Sequence, residues 1–111
     1  MKMDIRGKNV FLSGPVSGMD RGEAADIFQA AYSRCVDAGA RFVFNPVANV
    51  DPRESHEHAM LQCLNELTTV GGLGHYDLLV QLHGWRNSEG ALMELAVADA
   101  CGIPAAGIDA I

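Results

Sequence analysis

Four short apolar runs, separated by stretches long enough for helices, constrain this chain most. Asn9-Val10-Phe11-Leu12-Ser13 reads as a buried strand and stops at Gly14-Pro15, where glycine and proline punctuate. Asp20 with Glu23 three residues on forms a capping box. Ala24, Phe28, Ala31, Tyr32 and Cys35 then recur at helical spacing until Gly39 ends the run. A second strand, Arg41-Phe42-Val43-Phe44, is closed by Asn45-Pro46, and the polar stretch through Asp51-Pro52-Arg53 reads as loop. From about Ser55 the spacing of Met60, Cys63, Leu64 and Leu67 predicts a second amphipathic helix, terminated by Gly71-Gly72-Leu73-Gly74. Residues 77–82 make the third strand, Ser88 caps a third helix from Gly90 to about Ala100, and residues 105–108 make a short fourth strand.

Strands that alternate with helices of this length are joined by crossovers, which demand a parallel sheet covered by helices. The expected fold is therefore a three-layer α/β domain of Rossmann-like or flavodoxin-like type. Its sheet has four or five parallel strands in the order 2-1-3-4, with helices on both faces. With 111 residues, 49% hydrophobic and 20% charged, residues 1–111 fit one domain with one core. Ligands of such sheets bind outside the carboxyl ends of the strands, where the chain order reverses. That crevice would lie between strands one and three, beside the loops at residues 14–19 and 83–90. Those are the places where the chain concentrates glycines and small polar residues.

The net charge of -6, with only eight Lys and Arg scattered along the chain, argues against a nucleic-acid polymer as partner. A free nucleotide stays open, because backbone N–H groups can hold one phosphate. Cys35, Cys63 and Cys101 have no metal-like spacing and sit in apolar contexts, which suits a reducing cytoplasm. Residues 1–8 lack the apolar run of a signal peptide, and no run approaches membrane-spanning length. No membrane partner is expected.

Ser88, Gly90 and Glu94 carry the chemistry. A serine, a glycine two residues on and a glutamate six residues on place an anion-binding turn beside a carboxylate. Ser88 and the first N–H groups of the helix can cradle a phosphate, with Gly90 letting it approach the backbone; equally, Ser88 caps the helix and Gly90 packs. Gly14, Pro15, Val16, Ser17 and Gly18 form either a second nest of N–H groups or a plain tight turn. Glu94 sits among Ala91, Leu92, Met93, Leu95 and Ala96, surroundings in which a carboxylate calls for a reason. Under the anomeric carbon of a ribose it could act as a nucleophile, as in retaining glycosidases; a solvated glutamate on an exposed stripe is the plain alternative.

Val10-Phe11-Leu12-Ser13-Gly14-Pro15, the Asn45-Pro46 pair, and Asp77-Leu78-Leu79-Val80 leading through Gly84-Trp85 to Ser88, Gly90 and Glu94 resemble the nucleoside 2-deoxyribosyltransferase-like superfamily. The likeness spans nearly the whole chain. It is nearest to a small bacterial and phage branch whose members carry a proline-glycine-tryptophan run before the serine. The resemblance implies cleavage of the N-glycosidic bond of a deoxynucleoside or nucleotide, with transfer to another base or to water. It places Glu94 on the family nucleophile, Ser88 and Gly90 on the segment that holds a 5'-phosphate, and Gly14 to Gly18 on the loop lining sugar and phosphate. Phe11 falls where relatives often carry a tyrosine whose hydroxyl orders the nucleophile. Relatives supply a proton-donating aspartate from the second helix, and here residues 61–69 contain none. Glu66, Asp51, Glu57 or a histidine of the preceding loop are the substitutes within reach. Asp77 begins strand three, at the opposite edge.

Trp85 either stacks on a base or packs against a neighbour, and Asn45 either bonds a ligand or stops a strand. His83 lies at the expected site edge and His75 at the surface. His56 and His58, two residues apart, point to different sides of a helix, so no metal and no cofactor is expected. Relatives complete their sites with a neighbouring subunit, which implies a homodimer or higher homo-oligomer. A non-catalytic nucleotide-binding or sensing module, or an oligomeric scaffold, are the alternatives to an enzyme.

Overall fold

The computed structural model describes residues 2–70 and 75–111. Strand β1 (Asn9–Ser13) is followed by α1 (Arg21–Asp37), β2 (Phe42–Phe44), a short α2 (Pro46–Asn49), α3 (His56–Leu67), β3 (Leu78–Gln81), α4 (Glu89–Ala100) and β4 (Ala105–Gly107). The sheet has four strands in the order β2-β1-β3-β4, and every pairing is parallel. Its register aligns Val10 with Val43 on one side and with Leu78 on the other.

Side chains alternate across a strand, so each strand feeds two cores. Val10, Leu12, Val43, Leu78 and Val80 meet Phe28, Ala31 and Cys35 of α1. Phe11, Phe44 and Leu79 meet Cys63 and Leu67 of α3 and Ala98 of α4 on the other face. Helices therefore cover both faces, as the alternation of elements requires.

The helix starts follow local signals. Asp20 accepts from the Glu23 N–H, Ser55 from the His58 N–H and Ser88 from the Ala91 N–H. One stretch expected to be loop is helical: Pro46 opens α2 at a position where its missing N–H costs nothing, and Asn45 caps it. The glycines expected to terminate α3, residues 71–74, lie outside the described residues; α3 ends at Leu67, with the Thr68 N–H bonded back to Leu64. Among the described residues no helix is long and apolar enough to cross a membrane.

Candidate active site

β1 and β3 are neighbours in the sheet, so the segments leaving their carboxyl ends stand side by side. β1 ends in Ser13. After β3, Gly84 takes a left-handed conformation (φ 87°) and leads through a 3-10 turn, Trp85–Asn87, to the Ser88 cap of α4. Glu94, the sixth residue of α4, is only 5% exposed, and Ser13 is 1% exposed. The Ser13 hydroxyl donates to Glu94 Oε1 at 2.6 Å, a length typical of a bond to a charged oxygen. Burial pushes the Glu94 carboxyl up to about 7, and the Ser13 hydrogen bond draws it partway back. A carboxyl poised near neutrality can work either ionised or protonated.

A cleft of about 630 Å³ opens above Glu94. That volume lies in the range of small-molecule sites. Gly14, Pro15, Val16 and Ser17 form one wall, and Ser88, Glu89, Gly90 and Ala91 a second. The third wall combines Pro46 and the segment around Val50, Asp51, Pro52 and Glu54 with His56, Met60 and Cys63 of α3. Those three follow one another at i, i+4 and i+7, a single helical stripe. Ser17 Oγ and His56 Nδ1 are 2.8 Å apart and tie the first wall to the third. Arg21 also lines the cleft, with its guanidinium donating to the carbonyls of Val47 and Val50.

Glu94, Gly14, Pro15, Val16, Ser17, Ser88 and Gly90 thus come together as expected from sequence. Four other expected site residues do not line the cleft. Phe11 is fully buried, stacked on Phe44 at 5.0 Å between ring centres and edge-on to Tyr76 at 5.5 Å. It shares a strand face with Ser13 but lies two residues deeper, about 6.6 Å along the strand. Gly18 is exposed in a left-handed turn (φ 82°). Asn45 turns its Oδ1 to the N–H groups of Val47 and Ala48, capping α2. Trp85 is half-buried in the 3-10 turn, with the Arg86 guanidinium 4.6 Å from its ring centre.

Of the two roles read for Gly90, packing is the one its surroundings fit. A Cβ at this position would come within 2.8 Å of Met60 Sδ, so the space over Gly90 is held by α3 rather than left open to a ligand. His83 pairs with Asp109 at 2.8 Å and faces solvent away from the cleft lining.

The substitutes for the missing aspartate divide clearly. Glu66 accepts from the Tyr76 hydroxyl at 2.6 Å and does not line the cleft; Glu57 is exposed and does not line it either. Asp51 lines it, but Arg53 binds both carboxylate oxygens and holds the group below the usual carboxylate range. Glu54 lines it and is paired with His58. Cys63 is the α3 side chain beside Glu94; burial, then the charges of Glu94 and Glu66, push its thiol up to about 12. Among the described residues no group of three or more His, Cys, Asp or Glu side chains is arranged to hold a metal ion.

Ser13 and His56 hold positions at the site that the sequence reading did not single out: Ser13 stood there only as part of a strand motif, and His56 only as one of several histidines near the second helix. Ser13 carried a signal, since it alternates in phase with Phe11. His56 carried one as well, because it shares a helical stripe with Met60 and Cys63.

A family model described as a domain of unknown function, DUF4406, matches residues 8–106. The chain belongs to the DUF4406 family. The DUF4406 match runs from just before β1 into β4, and so includes every residue that lines the cleft. No curated protein matches the chain.

Proposed function

We propose that this DUF4406 domain is a nucleoside 2-deoxyribosyltransferase-like enzyme that cleaves or transfers the N-glycosidic bond of a deoxynucleoside or nucleotide, with Glu94 as nucleophile. The observation that carries the proposal is a carboxylate 5% exposed at the floor of an open cleft, oriented by a buried hydroxyl. A solvated surface glutamate would have neither the burial nor the fixed partner. The resemblance of the strand-one, Ser88 and Glu94 segments to that superfamily agrees with it.

The chemistry follows from the position of Glu94. Its ionised oxygen attacks the anomeric carbon of a sugar seated in the cleft, the carbon–nitrogen bond breaks, and the electron pair leaves with the base, which takes up a proton. Water or a second base then attacks the glycosyl ester and releases the Glu94 carboxylate. Ser13 holds Glu94 in one orientation, which limits the reorganisation needed in the transition state. Ser17, the Ser88 hydroxyl hydrogen and the free N–H groups at the start of α4 are the donors for sugar hydroxyls or a 5'-phosphate.

Incubation of the parent with a panel of deoxynucleosides and their 5'-monophosphates should release free base, and a 2'-fluoro-arabinosyl analogue should leave a covalent adduct on Glu94 detectable by mass spectrometry. The absence of both would refute the proposal. Glu94→Ala should lose base release by at least about a thousandfold.

A second reading, a nucleotide-binding or sensing module, is favoured by one observation: Cys63, a very weak acid, is the α3 group beside Glu94. Ligand affinity by calorimetry with no turnover of any substrate would select it. We further propose that the protein self-associates and works in the reducing cytoplasm. Leu92 and Met93 on the outer side of α4 are 44% and 50% exposed, and Leu61 of α3 is 65% exposed, a set of apolar side chains suited to a partner copy. Light scattering at working concentration checks this.

A further inference from the structure

Departure of a purine or pyrimidine needs a proton donor, and the cleft has few candidates. Asp51 has both oxygens occupied by Arg53, Glu54 is paired with His58, and Arg21 is held by two backbone carbonyls. Cys63 stays a thiol. Glu89 and His56 remain.

His56 has the better placement. It opens α3 and reaches across to Ser17 of the β1 loop through Nδ1. Its Cε1 lies 4.0 Å from where a Cβ of Gly90 would stand, on the helix face that continues one turn later to Glu94. The bond to Ser17 fixes the ring, and no protein group among the described residues hydrogen-bonds Nε2. A serine hydroxyl both donates and accepts, so it can hold Nδ1 whether the imidazole is neutral or charged. Glu89 has no such support: it is exposed, and no side-chain hydrogen bond to it is present among the described residues.

Building on the N-glycosidic reading of the cleft, we propose that His56 is the proton shuttle of the reaction. As Glu94 attacks the anomeric carbon and the carbon–nitrogen bond breaks, the imidazolium passes its Nε2 proton to the departing base and is left neutral, with its Nδ1 proton donated to Ser17 Oγ. The imidazole then takes a proton from the water that attacks the glycosyl ester, which frees the Glu94 carboxylate and restores the proton on Nε2. Each turnover consumes one water and leaves the enzyme unchanged.

The test compares leaving groups. A natural base must be protonated to leave, whereas 2,4-dinitrophenolate departs as a stable anion. His56→Ala should lose about a hundred- to ten-thousand-fold in kcat/KM on natural deoxynucleosides, yet stay within about threefold of the parent on 2,4-dinitrophenyl 2-deoxyriboside. The retained kcat/KM for release of 2,4-dinitrophenolate also certifies that the variant is folded. Ser17→Ala should give a smaller loss with the same selectivity, and Glu94→Ala should lose both substrates.

Equal slowing of both substrates by His56→Ala, or of neither, overturns the proposal. So does a rise in KM confined to 5'-monophosphates, which would make His56 a phosphate contact, or a leaving-group-selective loss found in Glu89→Gln instead. A parent enzyme that turns over neither substrate overturns the N-glycosidic reading itself, an outcome distinct from all of these.

Discussion

Among the described residues stand two hydroxyl–carboxylate pairs of the same length, one toward each end of the layer formed by α3 and α4. Ser13 donates to Glu94 at 2.6 Å beside the carboxyl ends of the strands, and Tyr76 donates to Glu66 at 2.6 Å just before β3 begins. In the first pair both partners are buried, and the proton affinity of the carboxylate is what burial raises. In the second pair the phenol is buried while Glu66 stays partly exposed; burial, then the bond to Glu66 and its charge, push the Tyr76 hydroxyl up. One bond geometry thus has two outcomes: desolvating the acid brings its titration toward neutrality, and desolvating the phenol keeps its hydroxyl protonated.

The comparison is broken most directly by exchanging acids for amides. Glu94→Gln should abolish base release while Glu66→Gln leaves it within about threefold, since only the first removes a group from the reacting centre. Comparable losses from both would mean that neither pair is special.

Stability should move the opposite way. The folded Glu94 carboxyl is raised from 4.5 to about 7, so the folded state is favoured most below the unfolded value, and that advantage fades as pH rises between the two. Above about 7 the ionised carboxylate costs on the order of 3 kcal/mol, which Glu94→Gln should recover while keeping the Ser13 bond. Urea melts of parent and variant between pH 4 and 8 should diverge with rising pH; parallel curves would contradict the assignment. Taking the difference cancels Asp4, Asp51 and Asp109, whose carboxyls are lowered. For the other pair, Glu66→Ala should cost about 1–3 kcal/mol by stranding the Tyr76 hydroxyl.

Ser13→Ala sharpens the contrast further. It removes the one interaction that lowers the Glu94 carboxyl, so the acidic limb of the pH–rate profile should shift to higher pH, with activity falling about ten- to a hundredfold through lost orientation. An unmoved limb would mean that Ser13 only fills space. Gly90→Ala should have the smallest effect. Its Cβ must displace Met60 Sδ, at about 1–2 kcal/mol of overpacking, offset in part by about 1 kcal/mol of helix propensity. Thermal melts of Gly90→Ala with and without Met60→Ala would separate the two contributions.

Fold and site were legible to different depths. The caps at Asp20, Ser55 and Ser88 act over three residues of chain, so they were readable without knowing the fold. Asn45-Pro46 does stop a strand, since β2 ends at Phe44, and the same pair also opens α2. Glu94 stood out because its neighbours from Ala91 to Ala98 are all apolar. The hydroxyl that orients it was expected to be missing at Phe11 and is found at Ser13, since the depth at which α4 crosses β1 decides which residue of that face meets the carboxylate. His56 needed a contact with Ser17, 39 residues away.

By itself, then, the order of apolar and amphipathic runs determined a parallel sheet covered by helices and made Glu94 conspicuous among apolar neighbours, because hydrophobic period and capping are properties of neighbouring residues. Tertiary structure alone decided how deeply Glu94 is buried, which hydroxyl holds it and which α3 side chains face it. Those depend on how far two helices slide along a sheet, and side-chain volumes at distant contacts such as Gly90 and Met60 set that distance.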